Sequence, residues 1–279
     1  MLCFAADFNV RAGTILSHAF ALPSQRGTPM KIVLLGHDDL PSLYALQCVI
    51  DGAPHHDYEV FLSGELAAAA GSPRGLQRLA DVDARLCAEL RATGRLAEPL
   101  MDAATLPAPN SVAGRGVLQS LEPDLVVSIR YRRILRSEAI AIPRLGVLNL
   151  HSGVLPDYKG VMATFWAMLH NEAEIGATLH RIVDCGVDTG PVIGICRIPT
   201  DYESSYLANV LRLYGPGCTM VVDALQALEA GGEPAARPQR PGGRYFSAPA
   251  VHDIDAFLGR GLTLASGREG GEIALIPGH

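Results

Sequence analysis

The sequence predicts an α/β protein: a parallel sheet sandwiched by helices, followed by a short C-terminal tail. Three observations lead there. Short apolar runs rich in Val, Ile and Leu alternate with stretches of helical apolar spacing. Glycine and proline punctuate the ends of those runs. The 279 residues, 48% hydrophobic and 19% charged, suit one large folded core rather than a disordered chain. Strands that alternate with helices are the pattern of a sheet covered on both faces.

Residues 31–35 read as a buried strand, Gly36 as the turn after it, and 40–50 as a helix. Residues 58–62 return as a strand. Leu76, Leu79, Val82, Leu86 and Leu90 recur at helical spacing, which predicts a helix over 76–92. The stretch 107–116 reads as a loop, and 124–129 as a compact strand behind Pro123. Val147, Leu148 and Leu150 suit the next strand, and Pro156 with its neighbouring glycines marks the loop beyond it. Residues 163–170 read as a helix, and 177–183 and 191–198 as strands flanking a loop that holds Asp188. Two helices, 202–214 and 220–229, close the main domain. The Gly-, Pro- and Arg-rich stretch 231–243 then reads as a linker or irregular crossing. Tyr245, Phe246 and Phe257 are candidate anchors by which the tail docks on the main domain or on a second copy of the chain, a homodimer. The expected division is an N-terminal extension over 1–29, a main domain over 30–240 and a tail over 241–279. The last stretch, with Gly267, Gly270 and Gly271, is expected to be mobile.

A net charge of −6 gives no electrostatic reason to expect a nucleic-acid partner, and the only lysines are Lys31 and Lys159. The six cysteines show no C-x-x-C pair, so reduced thiols and a cytoplasmic location are expected. Cys185 lies beside the Asp188 loop, but the chemistry below makes sense without a thiol nucleophile. No apolar run reaches the ~18 residues that span a bilayer, and residues 1–29 lack the basic start of a signal peptide, so no membrane partner is expected. His37, His55 and His56 sit in loop-like surroundings without zinc-site spacing, and no metal is expected.

The chemistry concentrates in two segments. Side chains alternate along a strand, so Asn149 and His151 share one face of the strand over 147–150 and its end. An amide donor beside an imidazole is what a reacting carbonyl needs: one group holds the oxygen, the other stabilises or moves charge. Asp188 in Val187-Asp188-Thr189-Gly190 supplies a carboxylate. The turn Gly36-His37-Asp38-Asp39-Leu40 has one glycine and two carboxylates, which suit a helix N-terminus and repel a phosphate there. His180 and Trp166 read as a satisfied structural histidine and a packing tryptophan, with Trp166 as an alternative wall for an acceptor pocket.

Asn149-Leu-His151-Ser-Gly-Val-Leu-Pro156-Asp-Tyr158-Lys-Gly160, followed by Asp188-Thr-Gly190, resembles the folate-dependent formyltransferases. That family includes glycinamide ribonucleotide, methionyl-tRNA and amino-sugar formyltransferases and 10-formyltetrahydrofolate hydrolases. Ser152-Gly153 departs from the Pro-Ser or Gly-Ser of many members, and the resemblance runs over roughly residues 30–239. It implies a Rossmann-like formyltransferase fold and N10-formyltetrahydrofolate as the formyl donor. It also implies Asn149, His151 and Asp188 as catalytic residues. Carried over by position, Arg132, Arg133, Ile134 and Leu135 would line the pterin pocket with Val183, Asp184 and Val187. The acidic Gly36 turn weighs against glycinamide ribonucleotide, whose phosphate the relatives hold near that turn. The expected acceptor is a small-molecule amine, an amino sugar or a specialised-metabolite amine. Residues 201–279 carry six Arg and nine acidic residues, a charge of 6 − 9 = −3, which cannot supply a tRNA-binding surface. Two rivals stand beside this. A hydrolase would use water on the same residues, but such relatives carry a further N-terminal domain. A dimeric aspartic-type protease would use the Val187-Asp188-Thr189-Gly190 match, but needs paired aspartates on an all-β fold.

Overall fold

The computed structural model describes residues 28–64, 74–267 and 269. The expected extension over 1–29, apart from its last two residues, and Gly270 and Gly271 lie outside the described residues. Strand β1 (Lys31–His37) leads through Asp38 and Asp39 into helix α1 (Leu40–Gly52), and β2 (Asp57–Ser63) follows. Gly36 lies inside β1 rather than in the turn. Helices α2 (Arg74–Ala92), α3 (Glu98–Met101) and α4 (Val112–Leu121) precede β3 (Leu125–Ile129). A short α5 (Ser137–Ile140) leads to β4 (Val147–His151), then β5 (Tyr158–Gly160) and α6 (Ala163–Leu169). Strands β6 (Glu174–Ile182) and β7 (Val192–Pro199) form a hairpin around the Asp188 loop. Helix α7 (Tyr206–Glu229), β8 (Arg244–Phe246) and α8 (Val251–Gly259) end the described elements.

The main sheet has the order β2-β1-β3-β4-β6-β7. Its first four strands are parallel, whereas β6 pairs antiparallel with β4, and β7 antiparallel with β6. The sheet is α/β and mainly parallel as expected, with an antiparallel hairpin at one edge. This architecture also removes the all-β premise of the protease alternative.

Alternation along the strands splits the core into two layers. Ile32, Leu34, Leu148, Leu150 and Leu179 pack on one face with buried residues of α1 and α7. Val33, Leu35, Val126 and Val147 pack on the other with Leu118 of α4 and Ala139 of α5. Asn149 and His151 continue the second face beyond Val147. That smaller layer ends before the strands do, which leaves room at the carboxyl ends of the parallel strands, where open α/β sheets bind ligands.

Two expectations are corrected. Residues 112–116, read as loop, begin α4. Ser111 caps it by accepting from the Gly114 N–H at 3.0 Å, and a Cβ on Gly114 would collide with the Ala108 carbonyl. The glycine is there for close approach, not to break a helix. The two expected helices 202–214 and 220–229 are one, since α7 runs through Pro216. An internal proline costs about 3 kcal/mol. Here buried side chains on both sides of it, Leu211, Leu213 and Tyr214 before and Cys218, Val221 and Leu225 after, hold the helix on the sheet and α1.

The tail packs on the rest of the chain. β8 pairs parallel with β5, Phe257 stacks on Phe165 at 4.6 Å, and Phe246 stacks between Tyr158 and Trp166 at 5.4 and 5.1 Å. Trp166 also donates to the Ser247 carbonyl at 3.2 Å. Phe246 and Phe257 are buried, whereas Tyr245 is 60% exposed in the single chain.

Candidate active site

Strand register assembles the site. In β4, Asn149 lies opposite Ser128 of β3 on one side and His180 of β6 on the other. Directly opposed residues of an antiparallel pair project to the same face, so His180 stands beside Asn149. The β6–β7 loop then folds back over that face. Asp188 takes the left-handed conformation (φ 54°), which aspartate tolerates better than most residues, and Gly190 passes so close to the Arg181 carbonyl that a Cβ would collide with it.

These turns bring Asn149, His151 and Asp188 together. His151 Nδ1 lies 3.5 Å from Asp188 Oδ2, and the Gly160 N–H donates to that same oxygen at 2.8 Å. His151 Nε2–H donates to the Tyr158 carbonyl at 2.6 Å, so both ring nitrogens face protein groups. Asn149 Nδ2 donates to His180 Nε2 at 3.0 Å, and His180 Nδ1–H donates to the Arg181 carbonyl at 2.9 Å. The other oxygen of Asp188 lies 3.6 Å from His180 Nε2, beyond hydrogen-bond reach. Burial alone would raise the Asp188 pKa. The interaction with His151, ahead of the Gly160 N–H, outweighs it and holds the carboxyl down at about 2.

A cavity of about 450 Å³ opens beside this cluster, within the usual size of a small-molecule site. Arg132, Arg133, Ile134, Leu135, Asp184 and Val187 line it, as do Asn149, His151 and Asp188. Val183 does not: it is 55% exposed, and Ile182 lines the wall instead, because side chains alternate along the end of β6. Tyr131, on the same wall, has a buried hydroxyl without a partner among the described residues. Tyr245 and Ala248 of the tail complete the lining, whereas Trp166 is absent from it.

The turn after β1, over Asp38 and Asp39, is occupied by the protein itself. Asp39 caps α1, accepting from the Ser42 N–H at 2.9 Å, and receives bonds from Arg130 Nε and Nη2 at 3.1 and 2.7 Å. Burial opposes the Asp39 charge, but Arg130 outweighs it and holds the carboxyl at about 2.

Three features escaped the sequence. His180, read as structural, meets both Asn149 and Asp188. Gln239, inside the expected linker, donates from Nε2 to the carbonyls of Asp188 and Gly190, both at 2.8 Å, and so braces the loop from behind. His55, His56 and Glu229 meet with ligand atoms within 4.8 Å of one another, at the opposite end of the sheet. Yet the Met30 N–H donates to His56 Nδ1 at 3.3 Å, which leaves the neutral ring's proton on Nε2, the nitrogen a metal would need. No sequence spacing signals any of the three, since each joins residues distant in the chain.

The sequence profile of the formyl transferase family matches residues 108–213. Among curated relatives, the methionyl-tRNA formyltransferase of Thermosynechococcus vestitus is 35% identical over 112 residues, 40% of this chain and 34% of that protein. The match therefore spans about a third of that relative's length. Among solved structures, a sugar N-formyltransferase from a Shewanella species superposes with a TM-score of 0.55 at 15% identity, covering 82% of this chain and 87% of that one. Glycinamide ribonucleotide transformylase 1 from Symbiobacterium toebii gives 0.52 at 22% identity, covering 76% and 95%. At these identities the two structures show the shared fold.

Proposed function

We infer, from the match of residues 108–213 to the formyl transferase family, that this chain is a formyltransferase. From that premise we propose that it transfers the formyl group of N10-formyltetrahydrofolate to the amine of a small acceptor, an amino sugar or a specialised-metabolite amine. The observation that carries this reading is the convergence of Asn149, His151 and Asp188 on one wall of the cavity. Structures with related folds include sugar N-formyltransferases, and the net charge of −6 favours a small acceptor over a tRNA.

The cavity suits the folate donor. Leu135, Ile182 and Val187 offer apolar surface to a flat ring, and Asp184 and the unpartnered Tyr131 hydroxyl offer polar groups for its edge. Bound there, N10-formyltetrahydrofolate supplies a formyl carbon that the acceptor nitrogen can attack. The new C–N bond forms as the bond from the formyl carbon to N10 breaks, and one proton passes from the acceptor nitrogen to N10.

The residues divide the work. Asn149 donates from Nδ2 to the formyl oxygen as negative charge develops on it. His151, with both nitrogens held, acts as a fixed positive charge beside that oxygen rather than through a further hydrogen bond. Asp188, at about 2, stays ionised at neutral pH and is a weak base. Its first task is to orient the His151 ring, and the amine's proton leaves along it through water. The catalytic unit in this reading is 30–240, with the 241–279 segment contributing Tyr245 and Ala248 to the cavity wall.

Purified protein offered N10-formyltetrahydrofolate and a panel of amines, followed by mass spectrometry, tests this. The expected result is a formylated small amine and free tetrahydrofolate in equal amounts. Formate release that no amine suppresses would replace the reading with hydrolysis. Formylation of methionyl-tRNA as fast as the best small amine, falling steeply with salt, would replace the acceptor.

A further inference from the structure

His180 is buried, sits opposite Asn149 across the β4–β6 pair, and belongs to neither the charge pair nor the donor assigned above. Its ring state follows from its neighbours. A backbone carbonyl only accepts, so the contact between Nδ1 and the Arg181 oxygen at 2.9 Å places the proton of the neutral ring on Nδ1. Nε2 is then a lone pair, and the atom 3.0 Å from it must be a donor, which makes it the amide nitrogen of Asn149. Reversed, the amide would set its oxygen against that lone pair. The Asn149 nitrogen carries a second N–H, with no protein partner among the described residues, in a side chain that lines the cavity.

We propose that His180 is a positioning residue: through Nε2 it fixes which way round the Asn149 amide sits and so keeps the second N–H as the donor for the reacting oxygen. The Arg181 carbonyl fixes His180, His180 fixes Asn149, and Asn149 meets the substrate. A register shift in the β6–β7 pairing falls between Leu179 and His180, at the residue whose side chain has this task. Sheet irregularities beside sites commonly re-aim a side chain. The consequence of the inference rests on the formyl-transfer reading, but its geometry does not.

The test has two arms. Nitrogen-15 NMR of histidine-labelled wild-type protein should show His180 as the Nδ1–H tautomer at neutral pH, with its Nε2 shift moved by Asn149→Ala. An Nε2–H tautomer would overturn the inference whatever the reaction turns out to be. In the second arm, His180→Phe keeps a ring but removes the acceptor. It should slow single-turnover formyl transfer by about 10–10²-fold, the usual scale for a supporting contact, and leave the KM for the formyl donor unchanged. The double variant His180→Phe/Asn149→Ala should be no slower than Asn149→Ala alone, because the lost function is the same. His180→Gln, whose side-chain carbonyl can accept from Asn149, should be faster than His180→Phe. Independent, multiplying losses in the double variant, or no gain with glutamine, would overturn the positioning role. A correct tautomer in a chain that formylates no amine would instead count against the formyl-transfer reading.

Discussion

Two buried carboxylates near the carboxyl ends of the strands face basic side chains, and both have pKa values held at about 2, yet their surroundings differ. Asp39 is closed. Two nitrogens of Arg130 and the first turn of α1 take its oxygens, and the pair joins β3 to the helix that follows β1. Asp188 is open. Its basic neighbour is an imidazole 3.5 Å away, its one backbone donor among the described residues is Gly160, and it lines the cavity. The comparison teaches that a depressed carboxyl pKa does not by itself mark a reacting group. Partner geometry and access to the cavity do.

Breaking the closed pair should have the largest effect on the fold. Arg130→Met leaves Asp39 buried and charged, with the Ser42 N–H and the more distant Arg132 Nη2 at 3.8 Å in place of its two-nitrogen partner, and removing one member of a buried pair costs about 3–5 kcal/mol. Urea denaturation should show that loss, and a change below about 1 kcal/mol would mean that the pair is better solvated than its burial implies.

Acid titration sharpens the comparison. Asp39 has a folded pKa below its unfolded value near 3.8, so its stabilisation is present above that value and lost as pH falls toward 2, about 2 kcal/mol in all. Neighbouring Asp83 shows the opposite sign. Burial, helped by the Asp39 charge, raises it to about 7, so its contribution is present below pH 4 and lost as pH rises through 7. Melting followed from pH 5 to pH 8 should therefore fall less in Asp83→Asn than in the wild type, and an identical fall in both would contradict the assignment.

A smaller effect is expected behind the open pair. Gln239→Leu removes both bonds that brace the carbonyls of Asp188 and Gly190. Loss of about 1–2 kcal/mol of positioning corresponds to about a tenfold slower transfer. Turnover measured beside folate binding should show slower chemistry with unchanged binding.

What was legible in the sequence follows the range of each interaction. The β4 residues and the Asp188 loop were readable because their signals are local: an apolar run, a proline and glycines within a few positions. Asp39 as a helix cap was readable for the same reason. His180 was not, because its role depends on antiparallel register with a residue 31 positions away. Gln239 was hidden inside a stretch whose Gly and Pro content says only that it is irregular. Glycines misled at 114, where close packing and not a turn required one, and Pro216 misled in α7, where burial outweighs the missing N–H. That Tyr245 lines the cavity was not legible, because an aromatic residue looks alike in sequence whether it anchors a tail or lines a cavity.

The central claim is that the open pair exists for chemistry. Asp188→Asn keeps the size of the side chain and removes its charge, so its single-turnover rate of formyl transfer from N10-formyltetrahydrofolate is the most direct measurement. The account predicts a fall of about 10²–10³-fold, the scale of losing one stabilising group in such a site, with folate affinity little changed. A rate within about threefold of the wild type, on the same scale, would contradict it.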